Sequence, residues 1–68
     1  MYIIQEIQTA NNTTVMLPAV QKESRAEAES VFYQICGAAV VSEVPAHTVM
    51  TFTHEGFAIP ELCKCFKH

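Results

Sequence analysis

The sequence predicts a small α+β domain of order β-β-α-β-β, in which a four-stranded, mainly antiparallel sheet in spatial order 2-1-3-4 carries one helix on one face. Three observations predict it. Two extended, apolar stretches flank Asn11-Asn12, a capped segment with apolar residues three and four apart follows, and a second pair of extended stretches meets at Glu55-Gly56.

The first pair is YIIQEIQT (2–9) and TTVMLPAVQ (13–21). Asparagine tolerates the left-handed backbone that a tight hairpin turn demands, so Asn11-Asn12 reads as the turn of a β-hairpin. Next, Ser24 followed three residues later by Glu27 makes a capping box, and a helix is expected from about Arg25 to about Val40. Ala28, Val31, Phe32, Ile35, Cys36 and Ala39 draw one apolar stripe along it, facing a sheet. Val44-Pro45 then turns the chain into HTVMTFTH (47–54), and after Glu55-Gly56 comes FAIPELCKCF (57–66).

Two prolines set the order. Pro18 falls in the second strand and Pro60 in the fourth, and a residue without an N–H belongs on an edge. Strand three therefore lies beside strand one, with the helix returning the chain across the sheet.

Pairing each hairpin about a two-residue turn assigns the faces, because cross-strand partners share one. Ile7 then opposes Met16, Ile3 opposes Val20 and Thr9 opposes Thr14; Phe52 opposes Ile59 and His54 opposes Phe57, with Met50, Cys63 and Cys65 on the same side. This set is the more apolar and is assigned to the helix side, on condition that no bulge at Glu55-Gly56 flips one strand. The other face still carries Tyr2, Ile4, Val15, Leu17, Val49, Leu62 and Phe66 among Glu6, Gln8, Thr51 and His47. A water-facing sheet is more polar than that. The expectation is that these seven apolar residues, or an edge strand, pack on a second copy of the chain.

Composition points the same way. At 68 residues there is room for a single domain, 1–68, yet half the residues are hydrophobic. That is more than one small two-layer domain hides, and a homo-oligomer, a dimer first of all, is expected. The formal charge is −3, and the only basic residues are Lys22, Arg25, Lys64 and Lys67. No basic stripe for nucleic acid or an anionic membrane surface can be drawn from them. No apolar run approaches a membrane span, and MYIIQEIQTA lacks the features of a signal peptide, so a cytoplasmic location is expected. Three cysteines cannot all pair within one chain, which suits a reducing compartment.

The candidate chemistry lies in the terminal CKCFKH, where Cys63, Cys65 and His68 invite a zinc reading. Zinc holds thiolates at about 2.3 Å, so two ligand sulfurs lie under about 4.6 Å apart. Alternate residues of a strand stand roughly 6.5–7 Å apart. The trio chelates only if the chain bends at 63–66, and the plainer reading is structural thiols. A Cys63–Cys65 disulfide meets the same obstacle, since its Cβ atoms need to be about 3.5–4.5 Å apart. A bridge between copies is easier. Cys36, on the helix stripe, reads as a small core hydrophobe. His47 and His54, seven apart on one strand, point to opposite faces. Glu61 intrudes on the assigned core face, as an acid with a role or as the sign of a register shift near Pro60; the register shift is the favoured reading. With two glycines there is no phosphate-cradling loop, and nothing assembles a recognisable enzyme site.

The run IIQEIQ, the segment AEAESVFYQICGAAVVSEVPAH, HEGF and the terminal FKH together resemble a group of short uncharacterised proteins encoded by gut Firmicutes and their mobile elements. The likeness is most specific from the helix through Ser42 and Pro45 to His47. It implies one intact small domain and brings with it no activity and no catalytic or binding residue. The expected function is that of a non-enzymatic, self-associating interaction module; the alternative is a metal- or thiol-dependent protein using Cys63, Cys65 and His68.

Overall fold

The first hairpin of the computed structural model, which describes residues 1–68, joins β1 (Tyr2–Ala10) to β2 (Thr13–Met16). Asn11 and Asn12 close it with φ of 52° and 62°. Both central residues of a type I′ turn lie in this left-handed region, where asparagine is tolerated. Ile7 stands opposite Met16 and Thr9 opposite Thr14.

The ladder to β1 lapses soon after Leu17, whose N–H donates to Glu6 O at 3.0 Å, because Pro18 has no N–H to continue it. Pairing resumes in β3 (Val20–Lys22) one residue out of step, with Val20 opposite Ile4 and Gln21 opposite Ile3. One extra residue on the outer strand is a bulge. The expected strand over 13–21 is thus two strands, and the pairing of Ile3 with Val20 is corrected. With β4 (Ala46–Thr53) and β5 (Ala58–Lys67), the sheet has five antiparallel strands and not four. Its path is β2-β1-β4-β5 with β3 also on β1, so the expected four-strand order 2-1-3-4 becomes a five-strand one because its second strand is split into β2 and β3.

Between β3 and β4 runs α1 (Arg25–Val40), capped by the Ser24 hydroxyl, which accepts from Glu27 N–H at 3.2 Å. Its buried stripe is Ala28, Phe32, Cys36 and Ala39. The two alanines let the helix approach the sheet, and Phe32, with no exposed surface, packs among Ile4, Val49, Ile59 and Leu62. Tyr2, Val31, Ile35 and Phe66 seal the margin of this core.

The core therefore lies on the sheet face that the apolar count had assigned to a partner chain. Ile4, Val49 and Leu62 are about 1% exposed or less, beneath α1. Tyr2, Leu17 and Phe66 are half-buried, and only Val15 of the seven expected contact residues is exposed. The more apolar set of Ile3, Ile7, Met16, Met50, Phe52, Cys63 and Cys65 faces away from the helix. The physical reason is topological. β3 and β4 are both antiparallel to β1, so they are parallel to each other, and α1 is a crossover between parallel strands. The hand of such a crossover selects the face it covers, whichever face is the richer in carbon.

The second hairpin departs from a two-residue turn as well. Gly56, at φ 94°, donates its N–H to Thr53 O at 2.9 Å, and Thr53 N–H donates to Phe57 O at 2.8 Å. That is a three-residue loop with glycine in the left-handed position, and it sets Phe52 opposite Ala58, not Ile59. Further along, the register shifts between Met50 and Phe52, since Met50 faces Cys63. The extra residues, around Pro60 on an edge strand, bring Ile59 and Leu62 to the core although they stand an odd number of residues apart. Glu61 leaves the sheet core altogether and meets Arg25 at 3.6 Å.

Two stability changes are expected. Phe32→Ala should cost about 3–5 kcal/mol, measured by urea unfolding, because nothing else fills the space between helix and sheet. Thr51 is fully buried with no hydrogen-bond partner for its hydroxyl. Thr51→Val should therefore raise the urea midpoint, by up to about 1 kcal/mol in stability, and a lower midpoint would show that the hydroxyl is bonded.

Candidate functional site

The helix-covered face is apolar around Phe32 and polar at the end where α1 stops. There β1 presents Glu6 and Gln8, β4 presents His47 opposite Gln8, and β5 presents Phe66 opposite His47. His47 Nδ1–H donates to Glu6 Oε2 at 2.7 Å, and Gln8 Nε2 donates to the same oxygen at 3.3 Å. The His47 side chain is 2% exposed and the Glu6 side chain 15%, so the pair is shielded from water and from salt. A carboxylate only accepts, so the proton of this bond sits on His47 Nδ1. His47 Nε2 is left buried with no partner.

His68 closes this end. Its backbone N–H donates to Pro45 O at 2.8 Å and its Nε2–H to Ala39 O at 2.9 Å, satisfying a carbonyl of the last helical turn. Its ring stands edge-on to that of His47, 6.3 Å between centres. On the same side of the sheet, between the β1–β2 hairpin and the loop before β4, Gln8, Ala10, Thr13, Val15 and Val44 line a shallow cavity of about 220 Å³.

The residues expected to chelate are not brought together. β5 pairs regularly with β4 through this stretch, Cys63 opposite Met50 and Cys65 opposite Thr48, so both thiols stand on the uncovered face. His68 turns to the helix side. Cys63 donates its thiol hydrogen to Ile59 O at 3.2 Å, while Cys65 is exposed, its sulfur 3.6 Å from Thr48 Oγ1. Cys36 is buried in the core. His54 is exposed in the second turn, far from its strand-mate His47 in both position and setting.

The Glu6–His47 pair escaped sequence reasoning, although its signal was visible. Glu6 and Gln8 alternate with isoleucines on a strand, and a histidine lies at the matching depth of the third expected strand. What hid them was the face: the polar residues looked like the wet side of the sheet.

The thiols should react in the order Cys65, then Cys63, then Cys36, as read by mass spectrometry after brief exposure to iodoacetamide. Burial pushes the Cys36 thiol above its ordinary value of 9.0, with Lys64 opposing and Glu6 adding to the effect. The unfolded chain therefore sheds this proton first as pH rises. Stability should fall as pH climbs past 9.0, and Cys36→Ala should remove that part of the fall. Comparison of the chain with protein-family models, with curated proteins and with solved structures finds no match.

Proposed function

We propose that this chain is a small, non-enzymatic interaction module that pairs with a second copy of itself through the uncovered face of its sheet. The observation that carries the reading is the character of that face. Ile3, Ile7, Met16, Met50 and Phe52 lie on it without a helix above them, and Met16 is 67% exposed. Its one central amide is spent internally, for Gln5 Nε2 donates to Leu17 O and to Glu6 O.

Charge favours a second copy over other occupants. All seven acids are glutamates, at 6, 23, 27, 29, 43, 55 and 61, and none belongs to a cross-strand pair of this face; Glu61, on the edge strand β5, is paired with Arg25. Lys67, opposite Ala46 at one end, is its only cation. Two chains of net charge −3 meet most cheaply through a patch free of carboxylates, whereas a charged partner finds nothing there to pair with. Size is adequate too. Four strands about 4.8 Å apart and about eight residues at roughly 3.3 Å each span about 500 Å² per copy, or about 1,000 Å² in all, the lower bound for a specific interface. Only ten of 68 residues are buried in the single chain, so a second sheet packed on this face adds materially to a thin core.

The resemblance noted in the sequence supports a bacterial, mobile-element source for such a module and adds no activity to it. The other reading, a metal- or thiol-dependent protein built on Cys63, Cys65 and His68, has no observation in its favour, since β5 holds the thiols on one face and His68 on the other.

Light scattering and native mass spectrometry at tens of micromolar should give a dimer. Ile7→Lys and Met50→Lys should each give folded monomers, because neither side chain is under the helix. Val15→Lys, on the helix side, should leave the dimer intact. A monomeric parent chain, or dimers that survive both lysine variants, would remove this face from consideration.

A further inference from the structure

We propose that His47 and His68 form a two-histidine site for a borderline divalent transition ion. The starting point is the buried nitrogen left without a partner. His47 Nδ1–H is committed to Glu6 at 2.7 Å, and the two nitrogens of an imidazole point to opposite sides of the ring. Since Glu6 is on β1, Nε2 looks the other way, towards β5 and the end of α1. In the neutral ring this nitrogen carries the lone pair, and neither a donor nor solvent meets it. A histidine whose far N–H is held by a carboxylate has its ring oriented, which is how protein metal ligands are held.

His68 stands on that side. With Nε2–H given to Ala39 O, its Nδ1 is the nitrogen left free to coordinate. Zinc–nitrogen bonds are about 2.0–2.1 Å and the ring centre lies about 1.1 Å further on, so two imidazoles on one ion have centres about 5–6.5 Å apart, from the tetrahedral angle to the linear one. The observed 6.3 Å is at the linear end of that span, so tetrahedral coordination requires the His68 ring to move closer to His47. His68 is exposed while His47 is 3% exposed, so an ion reaches the buried Nε2 from the His68 side, by a movement of the terminal His68 that admits it. No group of three or more His, Cys, Asp or Glu side chains converges anywhere in the chain, and the remaining positions on the ion therefore fall to water or a small exogenous ligand. Imidazole donors suit zinc, nickel and copper, and exclude magnesium and calcium.

The test is calorimetric titration of Zn²⁺ alone into the chain near neutral pH, with the imidazole nitrogen resonances followed by NMR. One ion per chain is expected, with the His47 Nε2 resonance moving on binding. His68→Ala, a change at an exposed residue whose fold is checked by circular dichroism, should weaken binding at least about tenfold. The Cys63→Ser, Cys65→Ser double variant should bind as the parent does. The proposal is overturned by the absence of binding, by full affinity in His68→Ala, or by loss of binding in the cysteine variant, which would move the ion to the thiols.

Discussion

Everything in this small domain depends on Phe32 being held against β1, β4 and β5 by a helix that covers one side of the sheet only. The side chain has no exposed surface, and its neighbours come from β1 and from the β4–β5 hairpin, which is far from β1 in sequence. Ala28 and Ala39 bring the helix down to the sheet, and the bulge around Pro60 supplies both Ile59 and Leu62 to meet it. Burial of this kind is worth about 25 cal/mol per Å², so a core of so few side chains leaves little margin.

The same contact determines where the polar residues go. At the end where α1 stops, Glu6, Gln8 and His47 are hydrogen-bonded to one another. The Glu6–His47 bond satisfies one nitrogen of a buried ring and His68 satisfies a carbonyl at the helix end, so this end of the domain is closed by hydrogen bonds where the rest is closed by carbon. Leaving one ring nitrogen unpaired in such a setting is costly.

A one-layer covering also leaves the second face bare. In a larger α+β protein another helix or sheet would lie there; here the face keeps Ile3, Ile7, Met50 and Phe52 half-exposed. Antiparallel sheets that face water alternate towards polar residues, and this one does not. The absence of carboxylates from the cross-strand pairs of that face makes a like partner electrostatically acceptable to an acidic chain.

Local information was enough for the elements. Asn11-Asn12 specified its turn, Ser24 and Glu27 the start of the helix, and the spacing of Ala28, Phe32, Cys36 and Ala39 the stripe that is buried. These follow from backbone sterics and from the 3.6-residue period, which act within a few residues. The placement of Glu61 off the core was legible too, through Pro60. What the tertiary structure alone decided was which face of the sheet is inside. The one-residue slip at Leu17-Pro18-Ala19, the Gly56 loop and the shift between Met50 and Phe52 each move side chains relative to their partners, and alternation by itself cannot count them. Above them stands the hand of the β3–α1–β4 crossover, a property of the whole path of the chain. Hydropathy recognised that both faces are apolar; chirality chose the one that Phe32 fills.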